Sequence, residues 1–191
     1  MSGSGIVEDE TLSRVSEHRI ERNNEEGTMK TRFGSLLFLG ILVAVSLSAA
    51  TKTAGTATCK MDPASPPPVA VSDQPNHALA VGKAECTWTG FSVAGQAYKD
   101  GVSTSLNEIS GDTSSATGYH VATTTTGDTA TAKFQGKGML KDGKNVSDGG
   151  TWSFTSGTGK LKGIKGKGTY RGTANPDGTM TYKVTGEYSL Q

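Results

Sequence analysis

Residues 51–191 of this 191-residue chain predict an all-β domain, an antiparallel meander closed into a barrel of about eight strands. Three observations carry that reading. The stretch holds 21 glycines and 23 threonines, the second a β-branched strand former and the first a marker of turns and bulges. Apolar and polar residues alternate with period two, and no glycine-free window shows an apolar stripe of helical period. Turn signals recur at short spacing, which joins neighbouring strands antiparallel, and closure protects the edges of such a meander. A two-sheet β-sandwich is the alternative.

The elements follow in order. Residues 53–61 read as an added strand, and Pro66-Pro67-Pro68 then forces an extended, non-helical loop as far as His77. Strands are expected around 78–91, 101–109 and 118–125. Thr126-Gly127-Asp128 turns the chain into a strand where Ala130, Ala132, Phe134 and Leu140 alternate with Thr131, Lys133 and Gln135. Lys141-Asp142-Gly143-Lys144 is the next turn. Trp152 and Phe154 then alternate with Thr151, Ser153 and Thr155. Ser156-Gly157-Thr158-Gly159 opens a glycine-interrupted strand. Asn175-Pro176-Asp177-Gly178 sets Pro where φ is preset and Gly where φ is positive. The last strand alternates most clearly, with Met180, Tyr182, Val184, Tyr188 and Leu190 on one face and Thr181, Lys183, Thr185, Glu187 and Ser189 on the other.

Residues 29–50 read as a secretory signal. Met29, Lys30 and Arg32 precede the uncharged apolar run 33–47, and Ser48-Ala49-Ala50 supplies small residues for cleavage after Ala50. The run is shorter than the roughly 20 residues of a membrane-spanning helix, so no stable membrane insertion is expected after cleavage. Residues 1–28 are acidic and polar, the wrong flank for an export signal, and are expected to be a non-native or disordered leader ahead of a true start at Met29. The remaining domain is therefore expected in the periplasm or outside the cell. Its 14 Lys and Arg against 11 Asp and Glu leave a balance of +3, too mild to point to nucleic acid.

Both cysteines, Cys59 and Cys86, fall in the exported part, where an isolated pair most simply forms one disulfide. Two thiols alone make no structural zinc site, and no metal or cofactor is expected. The glycine run 157–172 has neither phosphate-loop spacing nor a following helix. Lys160, Lys162, Lys165, Lys167 and Arg171 beside it read as a solvated strand face.

Candidate chemistry is sparse. Glu108 shares its parity with Val102, Thr104 and Leu106, so it is expected to point with the apolar set, where a carboxyl would have a raised pKa. His120 is a candidate base and Tyr119 a candidate polar group beside it. His77, after Pro75-Asn76, reads as a hydrogen-bonding loop residue. Trp88, Phe134, Trp152 and Tyr182 supply bulky apolar surface and are the candidate ligand-binding residues if the barrel is hollow.

The segment WSFTSGTGKLKGIKGKGTYR, Trp152 to Arg171, resembles the last hairpins of the allene oxide cyclase and dirigent barrels. Residues 73–191 also resemble small exported bacterial proteins of unassigned function. The matching pieces are Asp73-Gln74-Pro75-Asn76-His77, Cys86-Thr87-Trp88, Glu108-Ile109-Ser110-Gly111, Gly118-Tyr119-His120 and the glycine run. The resemblance implies an eight-stranded barrel with a lumen suited to an apolar ligand, and transfers no catalytic residue. Three functions follow as expectations: a cell-envelope barrel binding a small apolar molecule, a cyclase or isomerase acting through lumen shape, or a structural, self-associating protein with a filled barrel. An enzyme is the less favoured class, and a homo-oligomer fits any of them.

Overall fold

The computed structural model describes residues 49–191. The leader expected at 1–28 and nearly all of the expected signal lie outside the described residues. Ten strands follow in order: β1 Thr51–Met61, β2 Val69–Ala70, β3 His77–Thr89, β4 Ser92–Val93, β5 Gln96–Ser110, β6 Thr113–Thr124, β7 Thr129–Lys141, β8 Lys144–Gly157, β9 Lys165–Ala174 and β10 Met180–Ser189. A 3-10 turn, Gly159–Leu161, lies between β8 and β9.

Eight of these strands close an antiparallel barrel. From β5 to β10 each strand pairs with its chain neighbour. β1 pairs with β10 on one side and β3 on the other, and β3 pairs with β5. The strand expected at 53–61 is thus a stave that closes the barrel. Its β3 ladder ends at Met61 opposite Ala84. Beyond that point the short β2 takes over the vacated edge of β3, with Val69 opposite Leu79.

The expected turns are in place except that Ser156 and Gly157 end β8, so the turn expected at 156–159 comes later, around Gly159–Leu161. Asp142 and Gly143 both take positive φ, 53° and 71°, which matches the twist a two-residue hairpin needs between β7 and β8.

Side-chain size divides the interior into two halves. At the end where β3 finishes and β9 begins, Phe91, Val93, Tyr98, Leu161, Ile164, Trp152 and Phe154 fill the barrel as its floor. Toward the other end the inward positions are small: Ala80, Gly82 and Ala84 on β3, Ser103 and Ser105 on β5, Ala116 on β6. Large side chains fill one half, and the small ones on β3, β5 and β6 leave the other hollow. Trp152 marks the boundary. Its indole lies over Gly168 and Gly186, where a Cβ would overlap the ring, and its Nε1–H donates to the Thr185 carbonyl at 3.2 Å.

Cys59 and Cys86 are direct cross-strand partners on β1 and β3 and form the expected disulfide, with both residues buried.

One expectation is overturned. Val102, Thr104, Leu106 and Glu108 face outward, and Ser103, Ser105 and Asn107 face in. A β-bulge between Tyr98 and Asp100 exchanges the faces. Even-numbered Tyr98 points inward before it, and odd-numbered residues point inward after it, because one extra residue inverts a period-two pattern.

Candidate functional site

The hollow half of the barrel is a cavity of about 450 Å³. Its mouth lies among Met61, Ser65, Pro66, Pro68, Ile109, Leu140 and Gly143, and its floor is the Phe91–Trp152–Phe154 layer. All four candidate ligand-binding residues, Trp88, Phe134, Trp152 and Tyr182, line it. A second hollow, about 700 Å³, is an open groove on the outer surface between Lys52, Lys133 and Lys167, floored by short side chains. The lumen is the better candidate, because apolar walls with a few convergent polar groups are what small-molecule sites share.

The catalytic candidates separate. Tyr119 is 51% exposed on the outer face. Glu108 is also outside, accepting a hydrogen bond from His77 Nε2 at 3.1 Å. His120 alone of the three enters the lumen. Trp88 Nε1, which can only donate, bonds to His120 Nε2 at 3.1 Å. That fixes the tautomer: Nδ1 carries the proton and donates to Ser103 Oγ at 2.8 Å. Burial pushes the His120 pKa down to about 4, so the ring is neutral at physiological pH. Its one lone pair is spent on Trp88. The arrangement therefore rigidifies the wall and offers a base no free nitrogen. The Ser103 hydroxyl, accepting from His120, keeps its own proton for a further partner.

A second polar group was missed from sequence. Asp148 and Asn145, on β8, line the lumen beside Tyr170 and Tyr182. Asp148 Oδ2 accepts from Tyr182 Oη at 3.1 Å and from Asn145 Nδ2 at 3.2 Å. Asp148 Oδ1 and Asn145 Oδ1 are shut from solvent and have no partner. Burial raises the Asp148 pKa, and the bonds from Tyr182 and Asn145 pull it part of the way back. The signal was parity: Asp148 lies four residues before Trp152 and so shares its face. Ser147-Asp148-Gly149-Gly150 reads as a loop by composition, which hid it.

His77 opens β3 at the rim of the barrel, outside the lumen. Its Nδ1 sits 2.6 Å from Asp73 Oδ1, so together with Glu108 it ties the 62–76 connection to the wall. Asp73, then Glu108, raise the His77 pKa above its ordinary 6.5, and His77 lowers that of Asp73 below 3.8. The histidine's contribution is therefore full below pH 6.5 and is lost as pH rises through its higher folded value. The aspartate's is present above 3.8 and is lost as pH falls below it. His77→Gln is expected to lower the melting temperature most between about pH 4 and pH 6.5. The difference from wild type closes at alkaline pH, and melting curves across that range check it. A gap that does not vary with pH contradicts the ion-pair reading.

The basic strip is solvated throughout: Lys165, Lys167 and Arg171 lie exposed on the outer face of β9, while Lys160 and Lys162, expected on the same strand face, are exposed on the 3-10 turn before it. Among the described residues, no group of three or more His, Cys, Asp or Glu is placed to hold a metal ion.

No family model matches the chain, and no curated protein matches it. Among solved structures, it is similar to a protein of unknown function from the DUF3224 family of Shewanella oneidensis MR-1, with 15% identity and a TM-score of 0.47. The match covers 75% of this chain and 98% of that one.

Proposed function

We propose that the domain binds a small, largely apolar molecule inside its barrel. The observation that supports this most is the division of the interior: a floor packed with aromatic and aliphatic side chains beneath an aromatic-lined hollow of about 450 Å³. A structural barrel gains nothing from that hollow, because unfilled space forfeits packing contacts. Ala116, Ser105 and Gly82 line it at positions where larger residues would fill it.

Both tryptophans of the chain, Trp88 and Trp152, line the cavity, so intrinsic fluorescence reports its occupancy directly. Titration with 2-methylnaphthalene is expected to change that fluorescence and saturate at one molecule per chain. Ala116→Phe fills the lumen and is expected to weaken binding at least about tenfold, while Tyr119→Ala, on the outer surface, leaves it unchanged. Equal binding by wild type and Ala116→Phe, with both folded by circular dichroism, would remove the lumen as the site.

The domain is further read as exported. The basic residues before the apolar run 33–47 support this, as does a disulfide in a chain with no other cysteine. N-terminal sequencing of the protein from its own cells is expected to begin at Thr51.

One observation favours self-association as a second reading. Val69, Leu79, Val81, Val102, Leu106, Tyr119 and Val121 are exposed and contiguous across β2, β3, β5 and β6. A contiguous apolar patch of this kind marks an interaction site, where singly scattered apolar residues would need no explanation. The occupant that fits is the same face of a second copy, because Lys83 and Glu85 lie among these apolar residues, and a face carrying both charges is self-complementary across a two-fold axis. Sedimentation velocity is expected to show a dimer that Leu106→Lys converts to monomer. A monomer at all concentrations excludes this reading.

A further inference from the structure

We propose that the lumen is selective for an apolar amine, its ammonium head held at Asp148 within the rings of Phe134, Tyr170 and Tyr182. This rests on the lumen reading above and names the ligand's chemistry. Three aromatic rings and one carboxylate gather at the β7–β10 wall. Phe134 and Tyr170 meet edge to face with centroids 6.2 Å apart, and Tyr170 and Tyr182 do so at 6.0 Å. All three line the cavity, and aromatic faces attract cations.

Asp148 supplies the countercharge. Its two hydrogen bonds, from a phenol and an amide, are both to Oδ2 and both from neutral donors. Oδ1 is left without a donor, and so is the neighbouring Asn145 Oδ1. Buried acceptors are nearly always satisfied, so two side by side mark a missing donor group. Oδ1 lies over Gly172 of β9 beside the edge of the Tyr182 ring, and that is where the ammonium meets it. A primary ammonium carries three donors and one positive charge, and meets the carboxylate, the amide oxygen and the rings at once. A hydroxyl supplies one donor and no charge. A carboxylate ligand brings like charge and no donor.

The remainder of the lumen sets the rest of the ligand. Below Asp148 the walls are Trp88, Phe134, Trp152, Ala132 and Val184. They suit a ring or short hydrocarbon body directed at the floor.

A matched naphthalene series tests the inference. 2-Naphthylmethylamine, 2-naphthylmethanol, 2-methylnaphthalene and 2-naphthoic acid are titrated at neutral pH against wild type and Asp148→Asn, by tryptophan fluorescence and calorimetry. The amine is expected to bind at least about tenfold tighter than the hydrocarbon, the acid weakest. Asp148→Asn keeps the shape and the Tyr182 contact. It is expected to bring the amine to the level of the alcohol while the hydrocarbon is unchanged. Hydrocarbon binding as tight as amine binding in wild type overturns the selectivity and leaves the lumen reading standing. Undiminished amine binding by Asp148→Asn does the same. Failure of all four to bind removes both.

Discussion

Phe91→Ala is expected to cost about 3–5 kcal/mol of stability and to lower the melting temperature by roughly 10–15 °C. Phe91 is 2% exposed and anchors the floor of the barrel. Its ring centroid lies 4.9 Å from those of Trp88 and Tyr98 and 6.4 Å from that of Trp152. It also seats on Gly55 of β1, where a Cβ would overlap it. Removing the ring leaves a hole that rigid strands cannot collapse into, so the transfer and cavity terms add. It also joins the floor to the hollow above. Denaturant unfolding measures the loss. A value below about 1 kcal/mol would mean that the floor repacks and that the lumen's lower boundary is soft.

Removing the disulfide comes next in size. Cys59 and Cys86 are 27 residues apart, and closing a loop of that length stabilises by about 3–4 kcal/mol on the chain-entropy model. The location adds to this. β1 is the stave that joins β10 to β3, so the bond fastens the seam at which the barrel closes. Cys59→Ala with Cys86→Ala is expected to melt about 10 °C lower than the oxidised wild type. Reductant should lower the melting temperature of the wild type and leave the double variant unmoved. Equal melting temperatures for oxidised and reduced wild type would show that the seam holds through its backbone ladder and packing alone.

The barrel was legible because its later strands are half-buried and alternate without interruption. From Ala130 to Phe134, from Trp152 to Phe154 and from Tyr182 to Tyr188, inward parity matches the apolar residues. Phe134, Trp152 and Tyr182 followed from the same alternation, and Trp88 from its place in the strand expected around 78–91. Two things were hidden, each for a physical reason. In β5 the bulge at Tyr98–Asp100 reverses parity, so the apolar residues that share a face with Glu108 lie on the outer surface. Bulges leave no reliable mark in composition, and the face assignment of that strand inverts with them. In β8 the turn-rich Ser147-Asp148-Gly149-Gly150 is strand. Gly149 and Gly150 let the backbones of the neighbouring strands approach closely, at the carbonyl oxygens of Tyr170 and Gln135, yet the same glycines signal a loop when read locally. Asp148, the lumen's carboxyl, was concealed by them. His120 was found, but its pairing with Trp88 and Ser103 depends on strands 32 and 17 residues away and could come only from the three-dimensional register.

The central claim is that a small apolar molecule occupies the hollow between Phe134, Trp152 and Tyr182. The most direct measurement is a crystal structure of the domain grown with 2-bromonaphthalene, with bromine located by anomalous scattering. A single strong peak inside the barrel above Trp152, displaced in Ala116→Phe crystals, is the predicted result. Bromine confined to the outer apolar face of β3, β5 and β6, with the lumen empty or filled by ordered water, would contradict it.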